Sequence, residues 1–162
     1  MNQLIKKIHK IVVNVGIGKL AVSTQGFEEK LLPVLMRDLA LITGQKPSIR
    51  KIRQSISGFK VREGSVVGLK VTLRGKRMAD FLTRLNNVVL PRLRDFRGID
   101  LKNIDKNGNL SIGLREHVVF PEINQEMVKT NFGLQITIVP MVGSRSEAVD
   151  LYRAIGVPLQ KV

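Results

Sequence analysis

The 162-residue sequence has no cysteine and no tryptophan, and its aromatic residues are six phenylalanines and one tyrosine. Without cysteine there is no disulfide framework, thiolate metal site or cysteine nucleophile, and the composition fits a reducing compartment. No apolar run approaches the roughly 20 residues that a membrane-spanning helix needs. The start, Met1-Asn2-Gln3-Leu4-Ile5-Lys6-Lys7, lacks the apolar stretch of a signal peptide. Histidine is limited to His9 and His117, with no second histidine at helical spacing, so no metal site is expected. Internal repeats, low-complexity tracts and Pro/Ser-rich linkers are absent as well. A single domain over residues 1–162 is the expectation.

Acid is the other scarcity. Against 27 Lys and Arg stand 13 Asp and Glu, a net charge of +14. A surface so cationic repels itself and is best explained by a polyanionic partner. The excess is local: residues 1–97 hold 20 basic and 6 acidic residues, whereas residues 98–162 hold seven of each. Within residues 44–77 ten basic groups face one acid, Glu63. An ordinary solvated face interleaves the two signs, so this stretch reads as an anion-binding surface.

Periodicity predicts the elements. A strand over residues 9–17 alternates Ile11, Val13, Val15 and Ile17. A helix over residues 27–43 carries Phe27, Leu31, Leu35, Leu39 and Ile42, with Gly44 as its stop and Pro33 as a kink or a true first turn. Strands are expected over residues 48–53 and 68–74, joined by the basic, glycine-bearing loop 55–64. A helix over residues 76–90 ends at Pro91. Two further strands follow around Leu110, Ile112, Leu114 and Leu134, Ile136, Ile138. A last helix opens on the capping box Ser144-x-x-Glu147 and closes near Gly156.

These strands have one apolar and one polar face, and each helix has one apolar stripe. The architecture implied is an α+β two-layer sandwich, mainly antiparallel, with helices on one face and an open basic face for RNA. That open face is expected to carry Asn14, Lys51, Arg53, Lys70, Thr72, Arg74 and Ser111.

Enzymatic readings have little to stand on. Gly16-Ile17-Gly18-Lys19-Leu20-Ala21 fits a dinucleotide-binding fingerprint, but the acid expected at the end of the next strand is missing and that strand is basic. Asp95 and Glu116 lie beside Arg92, Arg94 and Arg115, and read as structural ion pairs. No nucleophile elbow or phosphate loop is present, so neither catalysis nor a cofactor is expected. A basic adaptor for an anionic membrane is the remaining rival. With few aromatics to stack splayed bases and no basic recognition helix for DNA, the expected target is structured RNA, read through shape, phosphates and 2′-hydroxyls. Phe59, inside the basic loop, is the one aromatic balanced between core and partner.

The order of several blocks carries a resemblance. They include Val13-Asn14-Val15-Gly16-Ile17-Gly18, Thr43-Gly44-Gln45-Lys46-Pro47, Ser57-Gly58-Phe59-Lys60-Val61-Arg62-Glu63-Gly64 and Lys70-Val71-Thr72-Leu73-Arg74-Gly75. Arg94-Asp95-Phe96-Arg97-Gly98 and Phe120-Pro121-Glu122-Ile123 are the most specific. In these the chain resembles the ribosomal protein L5 family, in its bacterial or organellar form.

The resemblance implies a non-enzymatic constituent of the large ribosomal subunit. It would bind 5S rRNA and attach it within the central protuberance of a cytoplasmic bacterial ribosome, or of an organellar one. It further implies contacts with 23S rRNA, with P-site tRNA and, across an intersubunit bridge, with small-subunit ribosomal protein thirteen. By matching positions, the 5S rRNA role falls on Asn14, Gly16, Gln45, Lys46, Lys70, Thr72 and Arg74, beside Lys51 and Arg53 of the basic strand. The tRNA role falls on Ser57, Gly58, Phe59, Lys60 and Arg62. Family members usually begin with a helical segment of about twenty residues before the first strand, and no counterpart of that length is expected here.

Overall fold

The computed structural model describes residues 2–55 and 62–160. A short helix α1 (Asn2–Ile5) leads into β1 (Ile8–Gly16), which is followed by three helices: α2 (Gly18–Ser23), α3 (Phe27–Lys30) and α4 (Leu32–Thr43). Then come β2 (Ser48–Lys51), β3 (Val66–Leu73), α5 (Gly75–Arg84), β4 (Leu110–Leu114), β5 (Leu134–Pro140) and α6 (Arg145–Ile155). The five strands form one sheet in the order β2-β3-β1-β5-β4, and every pairing is antiparallel. The fold is α+β.

Alternation in the sequence becomes two faces. Ile11, Val13 and Val15 of β1, Leu69, Val71 and Leu73 of β3, and Ile136 and Ile138 of β5 are buried. They share one hydrophobic cluster with Leu35, Leu39 and Ile42 of α4, Met78, Phe81 and Leu82 of α5, and Leu151 and Tyr152 of α6. Burying a Leu, Ile or Phe contributes about 1.5–3 kcal/mol. A one-residue slip of any strand would expose its whole buried set, so the register is firmly held.

Three elements differ from the sequence expectation. The predicted helix over 27–43 is two helices, and Pro33 sits in the first turn of the second, where its missing N–H has no partner to lose. Gly44 closes α4 at φ +67. The predicted helix over 76–90 is regular only to Arg84. It continues as a π-turn (Leu85–Val89) and a 3-10 turn (Leu90–Arg92). The Pro91 ring would collide with the carbonyl four residues earlier in a regular helix, and the widened turn avoids that. The strand predicted over 48–53 stops at Lys51, where its register with β3 shifts. The short helices α1 and α2 have no counterpart among the predicted elements.

The expected ion pairs did not form. Among the described residues, the ion-paired carboxylates are Asp38, Asp100 and Glu122, not Asp95 or Glu116. Arg84 reaches Glu122 and also donates from Nη2 to the Ile42 carbonyl at 3.1 Å, tying α5 to α4 and to the 117–123 segment.

Candidate nucleic-acid interface

Side chains opposite each other on neighbouring strands share a face. The registers therefore define one rank that crosses all five strands: Ser48, Lys70, Asn14, Gln135 and Gly113. A second rank runs Thr72, Val12, Thr137 and Ser111, and a third runs Arg50, Gly68 and Gly16. None of these residues is buried. Together they form the uncovered face of the sheet.

Of the residues expected on this face, Asn14, Lys70, Thr72 and Ser111 are brought together there, and Gly16, named by the family resemblance, joins them. Arg74 follows β3 as the exposed, extended N-cap of α5. Gln45 and Lys46 lie in the turn after α4. The Gln45 side-chain amide donates to the Thr72 carbonyl at 3.3 Å, which brings that turn to β3. Two expectations are corrected. Lys51 pairs with Val66, whose side chain is buried, so Lys51 starts from the core side of the edge strand. Arg53 lies past the end of β2 and belongs to no rank. Arg50, two residues on from Ser48 and opposite Gly68, is the cation that alternation puts on the open face; the register shifts only after it.

The face also carries Lys10, Ser48, Gln135 and Thr137, which sequence reasoning missed. Strand alternation from Asn14 and Lys70 is the signal that finds them, once the pairing is known. Ser48 is fixed by a hydroxyl hydrogen bond to the Lys70 carbonyl at 2.9 Å, and the Ser111 and Thr137 hydroxyls lie 3.4 Å apart.

The face holds a shallow depression of about 500 Å³, bounded by Asn14, Gly16, Arg50, Gly68, Gly133 and Gln135. Val15, Val67, Leu69 and Leu134 line it as well, and its polar side chains are the Asn14 and Gln135 amides and the Arg50 guanidinium. Its amides and guanidinium suit sugar edges and phosphates. Ser57, Gly58, Phe59 and Lys60 lie outside the described residues. Arg62 is exposed at the loop stem, where Ile52 exchanges hydrogen bonds with Gly64 and Ser65, and the Glu63 N–H meets Ser55 Oγ at 2.8 Å.

The dinucleotide reading fails on topology. Both neighbours of β1 are antiparallel to it, whereas that fingerprint belongs to a parallel strand–helix–strand unit. Among the described residues no group of three or more His, Asp or Glu is placed to hold a metal ion. No described helix is long and apolar enough to cross a membrane.

Known families decide the matter. Residues 4–62 match the family described as Ribosomal protein L5, and residues 66–159 match the C-terminus of that ribosomal family. The chain belongs to the ribosomal protein L5 family. It is 46% identical over 157 residues to the large ribosomal subunit protein uL5 of Halothermothrix orenii, covering 97% of this chain and 85% of that protein. It is 48% identical over 155 residues to uL5 of Fusobacterium nucleatum, with 96% and 82% covered. Against uL5 of Rubrobacter xylanophilus it is 48% identical over 153 residues, with 94% and 82% covered. A ribosomal protein L5 is a constituent of the ribosome, not an enzyme. Strands from both matched regions interleave in one sheet, since β1 lies between β3 and β5.

Proposed function

We propose that the chain serves as one RNA-binding domain of the large ribosomal subunit and grips 5S rRNA on its open sheet face. The observation that carries this is the rank Ser48–Lys70–Asn14–Gln135–Gly113, polar or small on every strand and uncovered by the chain itself. Lys10, Arg50, Lys70 and Arg74 neutralise phosphates, while Asn14, Gln135 and Thr72 meet sugar and base edges. Gln45 and Lys46 extend the contact from the turn beside Thr72.

The three relatives are named as bacterial large-subunit proteins. In this reading the chain works in a cytoplasmic ribosome and holds 5S rRNA within the central protuberance, against 23S rRNA. The 55–64 loop, with Ser57, Gly58, Phe59, Lys60 and Arg62, reaches P-site tRNA. Small-subunit ribosomal protein thirteen is the partner across the intersubunit bridge.

Gel-shift titration of 5S rRNA against a tRNA control tests the reading. Lys70→Ala and Arg50→Ala each weaken binding and lower the slope of log K against log salt by about 0.7–0.9. Lys51→Ala, on the other side of the edge strand, has a smaller effect. Equal affinity for both RNAs, or binding that ignores salt, overturns it.

A further inference from the structure

We propose that Asn107 is a site of spontaneous deamidation through a succinimide, held closed by the native turn around it and opened when that turn unties. Asparagine is thermolabile. Its reaction is fastest where glycine follows, because no side chain then obstructs the attacking amide nitrogen. Asn107-Gly108 is the one such pair in the sequence, and no aspartate precedes a glycine.

The pair sits at the tip of a hairpin. Ile104 and Leu110 form an antiparallel bridge, and inside it the Asp105 N–H donates to the Asn109 carbonyl at 2.9 Å. Asp105 to Gly108 form a turn closed by the Gly108 N–H on the Asp105 carbonyl at 3.1 Å, with aspartate first and glycine last as such turns favour. Asn107 is exposed at the third position. Its backbone N–H donates to Asp105 Oδ1, and among the described residues nothing hydrogen-bonds its carboxamide. That group is free to swing toward the following nitrogen.

The reaction needs only water. The Gly108 nitrogen gives up its proton to solvent and attacks Asn107 Cγ. The N–Cγ bond forms, the Cγ–Nδ2 bond breaks, and ammonia leaves with a proton returned by solvent. Water then opens the ring at Cγ to give isoaspartate's isomer, aspartate's ordinary α-linked chain, only when it cleaves the bond to Cγ; attack at the main-chain carbonyl leaves Gly108 joined to Cγ, which is isoaspartate. Nothing is oxidised or reduced.

Two features of the native turn oppose this chemistry. The nitrogen that must attack is tied to the Asp105 carbonyl and has to leave it first. The Asp105 carboxylate accepts the N–H groups on either side of Gly108, those of Asn107 and Asn109, at 2.8 and 2.9 Å. It thereby sets a negative charge next to a nitrogen that must itself become an anion. The Asn109 side chain above all holds that carboxyl below its ordinary value, so it stays charged at neutral pH.

The product does not fit the place of the reactant. Isoaspartate lengthens the main chain by a methylene just ahead of Gly108. Gly108 is buried, its carbonyl accepts the Tyr152 hydroxyl at 2.8 Å, and a Cβ on it would already lie 2.7 Å from the Ala148 Cβ. The fold shields Asn107, and the reaction, once it has occurred in an opened chain, hinders the return to that fold.

The test incubates the full chain in mildly alkaline buffer, with and without denaturing guanidinium chloride. Isoaspartate is located by enzymatic carboxyl methylation and peptide mapping. In denaturant the label is expected in the peptide that carries Asn107-Gly108, and in native buffer it accumulates there about tenfold more slowly or less. Asn107→Gln removes it under both conditions. Asp105→Ala, shown to be folded by circular dichroism, reacts several-fold faster than wild type in native buffer. Asn109→Ala does so more weakly and serves where Asp105→Ala does not fold. The isoaspartate-bearing chain, separated by ion exchange and refolded, melts below the Asn107→Asp variant, which adds the charge without the extra methylene.

Equal rates with and without denaturant overturn the proposal, as do folded Asp105→Ala and Asn109→Ala chains that react at the wild-type rate. Isoaspartate found elsewhere but not at Asn107 overturns the site itself. None of these results bears on the sheet-face reading, whose test is RNA affinity.

Discussion

Gly16 and Gly68 face each other across the β1–β3 ladder, yet only one of them is demanded by the protein itself. A Cβ on Gly68 would lie 3.1 Å from the Val15 carbonyl oxygen, tighter than side chains normally tolerate. A Cβ on Gly16 would meet nothing within 4 Å, and Gly16 is not among the glycines with positive φ. The fold itself does not require glycine at Gly16, and under the proposed function its bare backbone leaves room for RNA. Gly16→Val is expected to keep wild-type stability within about 0.5 kcal/mol and to lose 5S rRNA affinity about tenfold or more, near 1.4 kcal/mol. Gly68→Ala shows the reverse order, with a stability loss of about 1 kcal/mol from crowding. Paired urea melts and gel shifts on the two variants check this; a Gly16 variant that binds normally refutes it.

Gln45 joins the turn after α4 to the edge of the interface. Its amide donates to the Thr72 carbonyl, and Arg77 Nη1 approaches its Oε1 at 3.5 Å. Gln45→Ala removes both links and is expected to cost about 0.5–1.5 kcal/mol in urea unfolding. Because Lys46 is carried by the same turn, RNA binding weakens too. The Gln45→Glu variant separates the effects: it keeps the length but cannot donate to Thr72.

Arg84 and Glu122 form a partly buried pair between α5 and the 117–123 segment, and Glu122 Oε2 is buried without a partner. Arg84→Ala leaves that carboxylate unpaired and also strips the Ile42 carbonyl of its donor. The expected loss is about 1–3 kcal/mol by chemical denaturation. Adding Glu122→Gln to Arg84→Ala restores part of it, since the stranded charge is gone.

His117 is fully buried, stacked on Phe132 with ring centroids 3.9 Å apart. Its Nδ1 accepts the Phe132 N–H at 3.4 Å, and its Nε2 lies 3.9 Å from Asp38 Oδ2. Burial pushes the imidazole below its usual 6.5, against the opposing pull of the Asp38 carboxylate and Asn131. The folded state thus holds the proton more weakly than the unfolded chain. The ring's contribution is complete above about pH 6.5 and is lost as pH falls through the lowered folded value. Urea midpoints from pH 7 to pH 5 should fall for wild type and fall less for His117→Gln, which starts lower.

Gly108 turns the chain before β4 at φ +82, and its carbonyl accepts the buried Tyr152 hydroxyl at 2.8 Å. A Cβ there would lie 2.7 Å from the Ala148 Cβ on α6. Gly108→Ala is expected to destabilise by about 1–3 kcal/mol. Adding Ala148→Gly relieves the clash but not the strained φ, so thermal melting should show partial rescue.

Much of this could be read before any coordinates. Isoleucine, valine and leucine alternation located β1, β3, β4 and β5, and the Ser144 cap and Gly156 stop bracketed α6, where Ser144 Oγ accepts the Glu147 N–H at 3.3 Å. Those signals are local, each set by a few neighbouring residues. What failed was the edge. On β2 every position is exposed, so no buried pattern marks its faces, and charge alone points to Lys51 where Arg50 belongs.

The amino-acid order alone fixed the α+β class, the concentration of cation in residues 1–97 and the family likeness, because composition and periodicity need no partner to be meaningful. Only the tertiary structure decided which polar residues stand together. Asn14, Lys70 and Gln135 are scattered along the chain, and they become neighbours through hydrogen-bond registers that no local pattern encodes. The register of β2 against β3, which sets Arg50 beside Gly68 and breaks before Lys51, belongs to the same class, because it is set by pairing between distant segments.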